Sequence, residues 1–198
     1  MKRFIFFLSM LAAVSCSNPI SLSKEEKELI LGGEGLMRVL TVDNSADSAF
    51  LRIKSVDFDK SEFENGIFGH LAKRMVATVT DPSQDGVGIA GPQVGLSRRV
   101  VAVQRFDKEG EPFEVYPNIS IRPLTDEMVP GGEGCLSVPG YRGQVMRYSK
   151  IEISYTSPET LEPVTEEVSG FTAVIFQHEC DHLEGILYID RCDAQKVE

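Results

Sequence analysis

Positive charge is scarce in this chain: 20 lysines and arginines stand against 30 aspartates and glutamates in 198 residues, a formal net charge of -10 with a pI near 4.9. That balance argues against nucleic acid as a partner, because phosphate backbones are held by clustered basic side chains. The acidity itself speaks for solubility and names no substrate. Internal repeats and low-complexity blocks are absent, and no apolar run reaches the roughly 20 residues that a membrane-spanning helix needs. Four cysteines in a chain of this length do not make a disulfide framework. Histidine is rarer still, with three copies, so where they fall is informative. What is present is 42% apolar content, enough for the core of one ordinary domain with an appendage.

The first residues differ in kind from the rest. Lys2 and Arg3 precede an apolar run from Phe4 to Val14 broken only by Ser9, and Ala13-Val14-Ser15-Cys16 follows. A charged head, a short apolar stretch and small residues read as a secretory signal. The alternative is a buried N-terminal helix. Cys16 makes the segment resemble a bacterial lipoprotein signal, in which that cysteine is acylated, although Ala13 stands where leucine is usual. The expected organisation is a signal peptide over 1–15, a tether with one short helix over 16–35, and a folded domain over 36–198. Acylated Cys16 would give membrane attachment without spanning; an unprocessed signal would leave the protein cytoplasmic. Cys180 and Cys192 read as free thiols, with pairing as the alternative.

Ser23 with Glu26 fits a capping box, and Gly32-Gly33 stops the short helix it opens. A second box, Ser61 with Glu64, predicts a longer helix to about Thr78. Phe63, Ile67, Leu71 and Met75 form its core stripe, weakened at Gly66 and Gly69. Residues 100–103, 113–116, 145–148 and 151–155 are β-branched or aromatic and read as strands. Residues 171–184 read as a helix with Gly185 as its stop. Central strands with a helix before and after predict an α+β fold.

Two of the three histidines fall in His178-Glu179-Cys180-Asp181-His182, an HExxH inside the last predicted helix. Residues four apart share a helix face, so both imidazoles can reach one metal ion, with Glu179 beside them to take a proton from water. A catalytic metal needs a third protein ligand. The position six residues after His182 is Tyr188, and too little chain follows to supply a glutamate from a later helix, so the third ligand comes from upstream. Cys135, in Gly131-Gly132-Glu133-Gly134-Cys135-Leu136-Ser137, which reads as a glycine-rich turn entering an extended segment, is preferred, since a thiolate is a strong ligand for such metals. His70, on the earlier helix, is the rival. Gly86-Val87-Gly88-Ile89-Ala90-Gly91-Pro92-Gln93 follows a helix instead of opening one and carries no Lys-Ser or Lys-Thr. It therefore suits close backbone approach to a substrate better than phosphate binding. Gln93 adds an amide donor of the kind that stabilises an oxyanion.

The three motifs GVGIAGPQ (86–93), EGCLS (133–137) and QHECDHLEG (177–185) together resemble the peptide deformylase family, over roughly residues 36–192. The first departs at Gly91, where the family has alanine, a change expected to loosen the loop. The resemblance implies a peptide deformylase-like α+β fold, with antiparallel or mixed sheets around a C-terminal helix carrying HExxH. It also implies metal-dependent hydrolysis of the N-formyl group of N-formylmethionyl peptides. Cys135, His178 and His182 would hold one divalent metal, ferrous iron by family preference, with zinc, nickel or cobalt as substitutes. Glu179 would carry the proton, while Gln93 and the backbone N–H of Leu136 would hold the oxyanion. Val87, Gly88, Val174 and Ile175 are expected to line the substrate pocket. Arg142 is expected to pair with Glu133.

Overall fold

A computed structural model describes residues 20–197; the expected signal peptide and Cys16 lie outside the described residues. The helices are α1 (Lys24–Leu31), α2 (Ser45–Phe50), α3 (Ser61–Glu64), α4 (Ile67–Val79) and α5 (Gly170–Leu183). Among the described residues, nine strands form three antiparallel sheets. The first contains β1 (Gly88–Ala90), β2 (Val100–Gln104) and β3 (Phe113–Pro117), in that order. The second orders β4 (Ser120–Pro123), β7 (Lys150–Thr156) and β8 (Pro163–Ser169) as β4-β7-β8. The third orders β5 (Met128–Cys135), β6 (Val138–Tyr148) and β9 (Gln195–Lys196) as β5-β6-β9. The α+β fold is as expected, with α5 packed against strands of all three sheets.

Strand alternation divides the interior. On β2, Val100 and Ala102 join Leu71, Met75 and Val79 of α4 in one apolar cluster. Val101 and Val103 face the other way, towards Ile151 and Ile153 of β7 and Phe176 and Leu183 of α5. A strand covered on both faces has no place for polar residues, which is why 100–103 reads as an unbroken apolar run. Helix α5 is similarly enclosed. Ala173, Phe176, Cys180 and Leu183 face the second cluster, so the opposite face, with His178, Glu179 and His182, is left for another surface. Gly185, at φ +72°, ends it.

Three expectations change. The helix over 61–78 breaks into α3 and α4, because Gly66 takes the left-handed conformation (φ +79°) and the Asn65 side chain accepts from Ile67 N at 3.0 Å. Ser61 does not cap the first piece; its hydroxyl is used on Asp59. Glycine's freedom here outweighs the continuous apolar stripe. The glycine-rich stretch before Cys135 is a strand, β5, not a turn: its backbone pairs with β6 from Met128↔Tyr148 to Glu133↔Gly143. Finally, residues 20–35, expected as a tether, are docked. Helix α1 has its capping box, Leu22 and Ile30 enter the first core cluster, and buried Arg74 donates to the carbonyls of Leu29 (2.7 Å) and Ile30 (2.8 Å).

Candidate active site

The cleft face of α5 meets the end of β5. Turns of helix at 178 and 182 and the bulged end of β5 bring Cys135, His178 and His182 together, with one candidate ligand atom from each lying within 4.8 Å of the others. Cys135 Sγ is 3.3 Å from His182 Nε2. Metal–nitrogen bonds of about 2.0–2.1 Å and metal–sulfur bonds of about 2.3 Å set tetrahedral ligands roughly 3.5 Å apart, so the sulfur and two imidazoles fit one divalent ion. His182 Nδ1 is buried with no partner. His70 is elsewhere: its Nε2 lies 3.1 Å from Gly33 O, against the docked N-terminal segment.

His178 Nδ1 lies 2.8 Å from Glu133 Oε2, which leaves Nε2 for the other side of the ring. Glu133 is in turn gripped by Arg147, whose Nε and Nη2 donate at 2.7 and 2.9 Å, and Arg147 Nη1 reaches Asp181 at 2.6 Å. Burial alone would raise the Glu133 carboxyl, but hydrogen bonds from Arg147 and His178 outweigh it and hold it down at about 2. The arginine partner of Glu133 is therefore Arg147 and not Arg142. Glu133 pairs across the ladder with Gly143, so Arg142, one residue on, points to the other face. Arg147 shares the parity of Gly143 and lies on the same face as Glu133. The Arg142 guanidinium packs instead over Gly134.

Glu179 is 4% exposed, and its Oε2 has no hydrogen-bond partner. Burial pushes its carboxyl up to about 7. It has room because β1 carries no side chain at Gly88, where a Cβ would sit 2.5 Å from Glu179 Oε1. Gln93 is fixed at both ends: its Oε1 accepts from Ala90 N at 2.8 Å, and its Nε2 faces Ser137 Oγ (3.2 Å) and Cys135 Sγ (3.5 Å). Gly91, expected to loosen this loop, tightens it. A Cβ there would lie 2.5 Å from Arg98 O and 2.8 Å from Leu96 O, so the turn closes on itself only without the methyl.

These groups open into a cleft of about 410 Å³. Val87, Gly88, Val174 and Ile175, expected in the pocket, all line it, as do Gln93 and Leu136. Two aromatic residues were not anticipated from the sequence: Phe171, 54% exposed at the start of α5, and Tyr141 of β6. An exposed aromatic at a helix start has no periodic signature; only the cleft gives it meaning. Cys180 and Cys192 are free.

A buried carboxylate with spare hydrogen-bonding capacity beside a Cys/His/His triad, in an α+β frame, defines a metal-dependent hydrolase. Comparison with known proteins narrows the class. Residues 37–198 match the family model described as polypeptide deformylase. Peptide deformylase of Leptospira biflexa is 37% identical over 154 residues, covering 74% of this chain and 84% of that protein. Among solved structures, class I type b peptide deformylase from Acinetobacter baumannii, described as Met-Ala-Ser bound, superposes with a TM-score of 0.69 at 34% identity, over 80% of this chain and 99% of that one. Peptide deformylase from Thermotoga maritima gives 0.68 at 32%, over 79% and 97%. The chain belongs to the polypeptide deformylase family.

Proposed function

We propose that this protein hydrolyses the N-formyl group of N-formylmethionyl peptides, releasing formate and a free α-amino group, with Glu179 as the proton carrier. The observation that supports this most directly is the partnerless Glu179 carboxylate set beside the triad of Cys135, His178 and His182. A divalent ion held by that triad would supply Lewis acidity, polarising the formyl carbonyl and acidifying water. Ferrous iron is the ion we favour, with zinc, nickel or cobalt able to replace it.

The remaining steps belong to the chain's own side chains. Glu179, held near neutrality by burial, accepts a proton from the attacking water and passes it to the departing amine. The Gln93 amide, turned towards the triad by the Ala90 N–H, donates to the oxyanion, and the Leu136 N–H is the second donor. Both β1 and β5 are edge strands that line the cleft, so an extended peptide can pair with either backbone. Val87, Val174, Ile175 and Phe171 give the methionine side chain an apolar wall. A formyl carbon carries only hydrogen, which suits a reaction centre walled closely by Gly88, Gln93 and Cys135.

The test is a formate-release assay on metal-loaded protein with formyl-Met peptides, run beside unformylated peptides. Formate without internal cleavage is expected. Cleavage within the chain would indicate another class of metallopeptidase, and neither product would indicate a noncatalytic binding module. Elemental analysis of anaerobically purified protein identifies the ion.

Residues 1–16 support a second element of the reading: export, and attachment through acylated Cys16, with the enzyme acting on released or imported formyl-peptides outside the cytoplasm. Fractionation with a lipid-labelling assay tests it. A soluble, uncut and unlabelled protein would return the activity to the cytoplasm and its nascent chains.

A further inference from the structure

Residues 20–36 precede the family-matched region, which begins at residue 37, yet they pack directly behind the turn that carries Gln93. Arg98 joins the two. Its side chain is 4% exposed and clasps the N-terminal segment: Nε and Nη2 donate to the two carboxylate oxygens of Glu26, each at 2.7 Å, Nη2 also reaches Ser21 O at 3.1 Å, and Nη1 bonds Ile20 O. The backbone of the same residue closes the Gln93 turn. Arg98 N donates to Leu96 O at 2.7 Å, Leu96 N donates to Gly91 O at 3.0 Å, and Arg98 O lies against the bare Cα of Gly91.

The contact continues along α1. Leu29 Cδ2 is 3.6 Å from where a Cβ would stand on Gly95, the left-handed residue (φ +81°) that ends the turn. Leu22 and Ile30 share their apolar cluster with Val94 and Leu96, the neighbours of Gln93 and Arg98. One side of the turn thus presents the Gln93 amide to Ser137 and Cys135, and the other is backed by the N-terminal segment.

We propose that Arg98 is a positioning residue for the hydrolysis: by locking residues 20–31 onto the 91–98 turn, it holds the Gln93 amide at the reacting carbonyl. The glycine at 91 is then part of the device, since the close seat of Arg98 O leaves no space for the alanine usual in the family. The segment leading from the N-terminus is a working part of the active site, not a passive leash. This rests on the deformylase reading and on the oxyanion role of Gln93.

The test is a double-mutant cycle on the full chain, with Arg98→Lys and Gln93→Ala singly and together. Formate release is measured at saturating metal and below the unfolding temperature. Lysine keeps the charge but cannot fork between Glu26 and the carbonyls. Loss of an oxyanion donor costs about 10²–10³ in kcat, and a displaced donor costs a fraction of that. We expect Arg98→Lys to lower kcat by about 5–10-fold with KM within about twofold, and to have almost no further effect in the Gln93→Ala background. The same factor in both backgrounds, or an unchanged kcat in Arg98→Lys, would overturn the proposal. Should Arg98→Lys fail to fold, Glu26→Gln replaces it in the same cycle with about a two- to threefold effect expected. A wild-type protein that releases no formate would instead sink the deformylase reading. A Gln93→Ala variant with full activity would remove the oxyanion role before the coupling is considered.

Discussion

Arg105 and Arg147 are buried to nearly the same extent, 2% and 3% exposed, and each touches α5, but they do different things. Arg105 donates to Asp107 (2.8 and 2.7 Å) and Glu166 (3.0 Å), bonds the Tyr116 hydroxyl, and lies over the Phe176 ring at 5.7 Å on the core side of the helix. Arg147 binds Glu133 and Asp181 on the cleft side. No fully buried side-chain oxygen or nitrogen around Arg105 lacks a partner, whereas beside the Arg147 network Glu179 Oε2 and His182 Nδ1 both do. Buried charge therefore marks neither region as the site. Between these two regions, unspent hydrogen-bonding capacity makes the difference, because it costs stability and persists where chemistry uses it.

Substitutions should separate the two regions. Glu179→Gln keeps the shape but cannot accept a proton, so formate release should fall by at least about 10³ with metal content unchanged; general acid–base groups contribute about 10²–10⁴. Activity above a tenth of wild type would remove Glu179 from its role. Arg147→Lys loosens Glu133 and through it His178, and metal affinity measured by competition with a chelator should drop about 10–100-fold, the range for partners that orient metal-binding histidines. Arg105→Met should leave kcat within about twofold while costing about 3 kcal/mol in denaturant unfolding, the low end for a broken buried pair because its carboxylates can reach water. A metal-affinity loss there equal to that of Arg147→Lys would erase the distinction drawn above.

The smallest effect concerns pH. Hydrogen bonds from Arg105, working against partial burial, hold Asp107 below the usual carboxylate value. A group with a depressed folded-state value stabilises above its unfolded pKa and loses that contribution as pH falls through the folded one. Thermal midpoints should therefore decline below about pH 4, where an unfolded aspartate begins to protonate. Asp107→Asn should show a shallower decline in that window, and an unchanged slope would show that this pair carries none of the acid sensitivity.

Much of this was legible in the sequence, and the reasons for what was not are local. HExxH, EGCLS and the glycine–glutamine motif are short, and their spacing on one helix or strand is set by covalent geometry, so their residues could be named before any fold was known. The runs 100–103 and 151–155 announced strands because burial selects β-branched side chains. The strand over 128–135 was hidden, since Gly131, Gly132 and Gly134 mimic a turn while β6 supplies the pairing. The break at Gly66 was hidden by an apolar stripe that runs through it. The choice between Arg142 and Arg147 as the partner of Glu133 could not be made along the chain; it depends on which residue stands opposite Glu133 in the ladder.

The sequence by itself determined the chemistry on offer: which thiolate, imidazoles, carboxylate and amide were available, and the helical period that puts His178 and His182 on one face. Tertiary structure alone decided that Cys135 meets them, that Arg147 orients the first histidine, and that the N-terminal segment backs the Gln93 turn. Those contacts join residues 14 to 78 positions apart, and over such separations only packing and strand pairing decide which groups meet.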